Sequence, residues 1–139
     1  MASKKEQHNA YNRAMGTAYE NKARDYEARK KANDAKIKRL KTAKKRLDAA
    51  IKEYETFKKN VGKIESEISS SDFKGDIRKN FKKKIDSAVK QVNSDINKHQ
   101  SNSSSISSKI AELESENGNL AGWAKSCWDA AASFFQSLV

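Results

Sequence analysis

Two histidines, three closely spaced glutamates and one cysteine are the side chains in this sequence that could do chemistry. A catalytic or metal site needs several such groups converging on one point. His8 lies in a polar N-terminal stretch, whereas His99 lies far along the chain inside an apolar seam. No HExxH spacing places two imidazoles on one helix face. Glu112, Glu114 and Glu116 read as the charged surface of a helix. The five glycines form neither GxxxxGK nor GxGxxG, so no phosphate-cradling loop is expected. Cys127 is alone, which excludes an internal disulfide or a multi-cysteine metal site, and it reads as a small apolar residue on a helix face. These residues predict a non-enzymatic protein: no catalytic residue, no metal, no cofactor and no small-molecule substrate.

The elements that carry these side chains follow from composition. The 139 residues include no proline, are 34% charged and 36% hydrophobic, and are rich in Ala, Lys, Glu, Asp and Ser. Nothing interrupts long helices, and the apolar content supports only a thin core. An all-α or coiled-coil class is expected, without strands. The first residues, MASKKEQHNAYNRAM, lack the apolar stretch of a signal peptide, and no run of eighteen apolar residues exists to span a membrane.

Helical periodicity divides the chain. From Leu47 through Ile51, Tyr54, Phe57, Val61, Ile64 and Ile68 the apolar steps are threes and fours, drawing one helix face. Before that the stripe holds only alanine between Tyr26 and Ile37. Residues 1–34 therefore form an N-terminal helical extension that is frayed, separately packed or ordered by a partner. In the second half, Phe73, Ile77, Phe81, Ile85, Val89, Val92, Ile96, His99, Ser103, Ile106, Ile110, Leu113, Asn117 and Leu120 keep one phase. Three polar residues, His99, Ser103 and Asn117, sit inside this seam, where single polar residues fix register or partner choice. QSNSSSISSK, residues 100–109, reads as a locally weak but continuous helix.

Between the two halves lies SSDFKGDIRKNF, residues 70–81. Ser71 and Asp72 are good helix N-caps, and Gly75 permits a close turn. Phe73 and Phe81 ask for cover. The predicted architecture is a long antiparallel helical hairpin over 35–116 with its turn near 70–76, followed by a short aromatic helix over 117–139. In that last segment Leu120, Ala124, Cys127, Ala131, Phe134 and Leu138 also fit a continuation of the second helix, with Gly118 and Gly122 arguing against it.

Two features point to partners. Trp123, Trp128, Phe134 and Phe135 gather where charge is sparse, more apolar surface than a monomer leaves bare. They fit burial against the hairpin or a partner better than a membrane interface, because Lys125 is the only nearby cation. A two-helix unit also cannot cover the wide faces built from Leu47, Ile51 and Tyr54 and from Ile85, Val89, Val92 and Ile96, so further helices are expected. The net charge of +11 is concentrated in residues 29–46. That run reads first as a solvated helix face, and nucleic-acid binding is the alternative.

The Phe73-Lys74-Gly75 triplet between two helices resembles the aromatic-x-Gly turn of the WXG superfamily, small proteins handled by type VII secretion in Gram-positive bacteria. KIKRLKTAKKRLDAAIKEYETF, FKGDIRKNF and IDSAVKQVNSDI look more closely like the small helical accessory proteins of LXG-domain toxins, over roughly residues 35–115. The resemblance implies a targeting factor or chaperone that binds a toxin's helical LXG region, often with a second small partner, as a hetero-oligomer. Phe73 and Gly75 would then shape the turn. Without a signal peptide or membrane span the chain is expected to be made as a soluble cytosolic protein, and the resemblance adds export alongside the partner as one outcome. The family's Tyr-x-x-x-Asp/Glu export signal is absent, since no tyrosine follows Tyr54.

Overall fold

A computed structural model describes residues 2–67 and 75–139. Two helices account for nearly all of them, α1 over Lys4–Glu67 and α2 over Asp76–Gln136, and there is no strand among the described residues. They pack against each other as a helical hairpin. The N-terminal extension is thus helical from Lys4 onward, as the first part of α1. The aromatic C-terminal segment is helical too, as the last turns of α2 rather than a separate element, so Gly118 and Gly122 do not break the helix.

The helix ends are satisfied locally. The Ser3 hydroxyl accepts the Glu6 N–H at 3.1 Å while the Glu6 carboxylate accepts the Ser3 N–H at 2.9 Å. This reciprocal capping box starts α1. Gly75 has φ of +71°, a left-handed angle that glycine adopts without steric cost, and its carbonyl accepts the Lys79 N–H at 3.1 Å. Gly75 therefore stands where α2 begins. The proposed caps Ser71 and Asp72, and the turn aromatic Phe73, lie outside the described residues. At the far end of α2 the N–H groups of Ser137 and Leu138 reach back three residues, to Phe134 and Phe135, closing the last turn tightly.

The chain divides into two compact units, one formed by Met1–Arg39 with Lys109–Val139 and the other by Leu40–Ser108. In the first unit α1 presents Asn9, Asn12, Gly16, Tyr19, Ala23, Tyr26, Lys30, Asn33 and Ile37 in unbroken steps of three and four. All of these are buried or half-buried. Opposite them stand Ile110, Leu113, Asn117, Leu120, Ala124, Cys127, Ala131, Phe134 and Leu138 of α2. The N-terminal seam is a true heptad stripe, but one made largely of asparagine, glycine and alanine. In the second unit the seam runs through Leu40, Lys44, Leu47, Ile51, Tyr54 and Val61 against Ile85, Val89, Val92, Ile96, His99, Ser103 and Ile106. Of these, Val92, Ile96 and Ser103 are buried and the others half-buried.

Candidate docking faces

With the seam at heptad positions a and d, the g positions line one side of an antiparallel pair and the e positions the other, because reversing one helix brings like positions together. Contacts within the first unit obey this. Arg29 meets Glu116 at 3.6 Å on the g side, while the Trp128 indole N–H donates to Glu27 at 2.6 Å on the e side.

On the e side, a polar arrangement occurs in each unit. In the first unit Asp34 accepts a hydrogen bond from the Asn117 amide at 2.8 Å and lies 3.5 Å from Lys30. In the second, Asp48 accepts the Ser103 hydroxyl at 2.8 Å and pairs with Lys44 at 2.8 Å. Lys44 first, and Ser103 second, hold the Asp48 carboxyl below the ordinary aspartate range. Ser103 and Asn117, expected as register-setting residues of the seam, thus each have a carboxylate on α1. Some polar atoms are left over. Asn33 Nδ2, Asn117 Oδ1 and His99 Nδ1 are buried without a hydrogen-bond partner among the described residues, while the His99 ring stacks on Tyr54 at 5.5 Å.

The aromatic segment lies on α1. Phe134 stacks on Tyr19 at 5.7 Å and meets Tyr11 edge-on at 6.1 Å; Trp123 tilts against Tyr26 at 5.6 Å. The guanidinium of Arg24 sits 5.5 Å over the Trp128 ring. Phe135 covers Gly16 so closely that a Cβ there would come within 2.7 Å of the ring. At the end of the chain the Asn9 amide donates to the Val139 main-chain oxygen at 2.9 Å and accepts the Val139 N–H at 3.0 Å. His8 Nε2 lies 2.9 Å from both the Ser137 carbonyl and the Asn12 side chain. The Ser137 carbonyl only accepts and Asn12 presents its amide nitrogen, so the two contacts ask for opposite tautomers of the ring. The other candidate residues occupy different places. Leu47, Ile51, Tyr54, Ile85 and Val89 are half-buried and Val92 and Ile96 buried in the hairpin's own seam, and Phe81 is half-buried.

No protein-family model matches this chain, and no curated protein matches it. In the second unit the two sides differ sharply. Its e side carries Lys41, Lys45, Asp48, Lys52, Glu55 and Lys59 of α1. Its g side carries Ala50, Phe57 and Ile64 of α1, with Phe81, Ala88 and Asp95 of α2, and Ile77 one row further out. Phe57 is 46%, Ile64 48% and Ile77 70% exposed. A groove of about 450 Å³, lined by Ala50, Glu53, Tyr54, Phe57 and Val92, opens along this side. In the first unit a second groove, of about 500 Å³, is edged by Lys22, Asp25 and Arg29 around Tyr26 and Ala28.

The apolar g side was missed as a site because Phe57 and Ile64 count as members of a regular stripe. The visible signal is a phase slip. After Tyr54 only Val61 keeps to the seam, while Phe57 and Ile64 fall one residue before the seam positions 58 and 65, which hold Lys58 and Glu65. Half of the stripe thus turns outward from the helix-helix contact. Among the described residues there is no group of three or more His, Cys, Asp or Glu side chains that could hold a metal ion, and no helix is long and apolar enough to cross a membrane.

Proposed function

We propose that this protein is a non-enzymatic helical accessory factor whose hairpin joins a larger helical bundle with a protein partner. The partner class is the helical LXG-type domain of a type VII secreted toxin, with a second small helical protein as a further member. The observation that carries the reading is the bare apolar side of the second unit. An exposed apolar face of that kind suits a component that completes its core on binding. The hairpin of two long helices, with a left-handed glycine directly before α2, supports the assignment to this class of partner.

Co-expression with the toxin encoded beside its gene tests the reading. A stoichiometric complex that survives gel filtration is expected. A stable monomer that ignores the neighbouring toxin overturns it.

A second reading is favoured by one observation. Lys45, Lys52 and Lys59 are exposed and spaced by heptads along one ridge of α1, a geometry suited to a polyanion. Nucleic-acid binding that falls steeply with salt would support it, whereas apolar helix docking is much less salt-sensitive.

A further inference from the structure

We propose that the g side of the second unit is the docking face, and that its occupant is an acidic amphipathic helix laid along Ala50, Phe57 and Ile64 of α1 and Ala88 and Ile77 of α2. The inference deepens the function proposed above and rests on it only in requiring a protein partner.

Three observations select that occupant. The face is apolar and open at both its exposed residues and its groove, whereas the opposite side of the same unit is a lysine-rich polar surface. A helix shields such a strip efficiently, because its own apolar residues recur at three and four along the same direction. The unit's charge then decides between a second copy and a different chain. Residues 40–108 hold sixteen Lys/Arg against nine Asp/Glu, a net charge of +7. Self-association would bring two such units within about a Debye length of 8–10 Å. An acidic helix relieves that charge instead. On this side Arg46 of α1 and Lys84 and Lys98 of α2 are matched by Glu53 and Glu67 of α1 and Asp95 of α2, so the preference for an acidic helix comes from the net charge of the unit as a whole.

The direction of the apolar stripe supports the same conclusion. If Phe57 and Ile64 served the hairpin alone, burial would favour them at the seam, yet those seam positions are Lys58 and Glu65. Glu65 there pairs across the seam with Lys82 at 3.4 Å. The hairpin closes this region with an ion pair and leaves its aromatic and aliphatic groups to the side.

The test uses the full chain and two synthetic peptides of about three heptads, long enough to form a helix when docked. Both share one Leu/Ile face; one carries Glu and the other Lys at the flanking positions. Fluorescence anisotropy at physiological salt is expected to show the Glu peptide binding about tenfold tighter than its Lys twin. Phe57→Ser with Ile64→Ser should weaken the Glu peptide by about tenfold, and Lys45→Gln with Lys52→Gln on the opposite side should change it by less than about threefold. Circular dichroism of each variant checks that helicity is retained.

Equal affinity for the two peptides, binding to neither, or native affinity in the folded Phe57/Ile64 variant overturns the proposal. So does sedimentation of the native chain as a dimer that the same variant converts to monomer, since a second copy would then own the face. If the peptide results hold but the neighbouring toxin is not captured, the secretion reading fails and the docking face stands. Toxin capture untouched by Phe57→Ser/Ile64→Ser has the opposite meaning.

Discussion

Asp48 on α1 accepts the hydroxyl of Ser103 on α2 at 2.8 Å, and two heptads earlier on α1 Asp34 takes the same kind of bond from Asn117. Each aspartate also has a lysine four residues before it, Lys44 and Lys30. The repetition makes a polar seam residue specific for one register. Sliding one helix by a heptad would leave a buried Ser or Asn without its carboxylate, and unpaired buried polar groups are costly.

The Asp48 bonds predict an acid-sensitive element. Its carboxyl titrates below the ordinary aspartate value, so its contribution is present above the unfolded pKa of about 3.9 and is lost as pH falls from there through the folded value. Ser103→Ala should raise the Asp48 pKa toward that ordinary value, read by carboxyl-carbon NMR, and flatten the stability change below about pH 4. An unmoved titration would show that Lys44 alone holds the carboxylate.

The leftover buried amide atoms predict a gain on their removal. Asn33 Nδ2 and Asn117 Oδ1 are buried and unpartnered, each a desolvation cost of about 1–3 kcal/mol. Asn33→Leu with Asn117→Leu should raise the denaturation midpoint, offset by the lost Asp34 bond, and should broaden NMR lines as the register becomes less specific. A clear fall in the midpoint would mean that the asparagines stabilise the seam as they stand.

Much of this was legible in the sequence, and the rest was hidden for physical reasons. The hairpin could be read because no proline interrupts it and because α2 keeps its apolar phase from Ile85 to Leu138. The N-terminal third of α1 was opaque to hydropathy, since its seam is Asn9, Asn12, Gly16, Ala23 and Asn33. Those residues are buried through a tyrosine-phenylalanine cluster and amide hydrogen bonds, which composition does not reveal. Periodicity counted without regard to polarity would have found that seam. The Ser3/Glu6 capping box was equally visible as S-x-x-E. The docking face required the phase of Phe57 and Ile64 relative to the seam, which needs the partner helix to define it.

Two kinds of glycine should respond in opposite ways to alanine. Gly118 and Gly122 lie inside α2 with nothing within 4 Å of an added Cβ, so Gly118→Ala and Gly122→Ala should each stabilise by up to about 1 kcal/mol through helix propensity. Gly75 also has open space, but its φ of +71° should make Gly75→Ala cost about 1–2 kcal/mol. Chemical denaturation of the three variants checks the signs. Stabilisation by Gly75→Ala would show that α2 can begin without the left-handed residue.

Phe135 packs on Gly16 closely enough to leave no room for a side chain there. An alanine Cβ at residue 16 would come within 2.7 Å of the ring, so either the ring or the backbone must move. Gly16→Ala gains helix propensity of about 1 kcal/mol and loses about 1–3 kcal/mol to overpacking. The two effects are separated by repeating the substitution in Phe135→Ala, where the ring is gone and only the propensity gain remains. The double-mutant cycle should therefore show Gly16→Ala stabilising by about 1 kcal/mol in the truncated background and neutral or destabilising in the native one. Tyrosine fluorescence reports the same event, because a displaced Phe135 disturbs its neighbour Phe134, which stacks on Tyr19. A cycle with no coupling would mean that the ring does not rest on Gly16 in solution, and the aromatic segment would then hold α1 through Phe134, Trp123 and Trp128 alone.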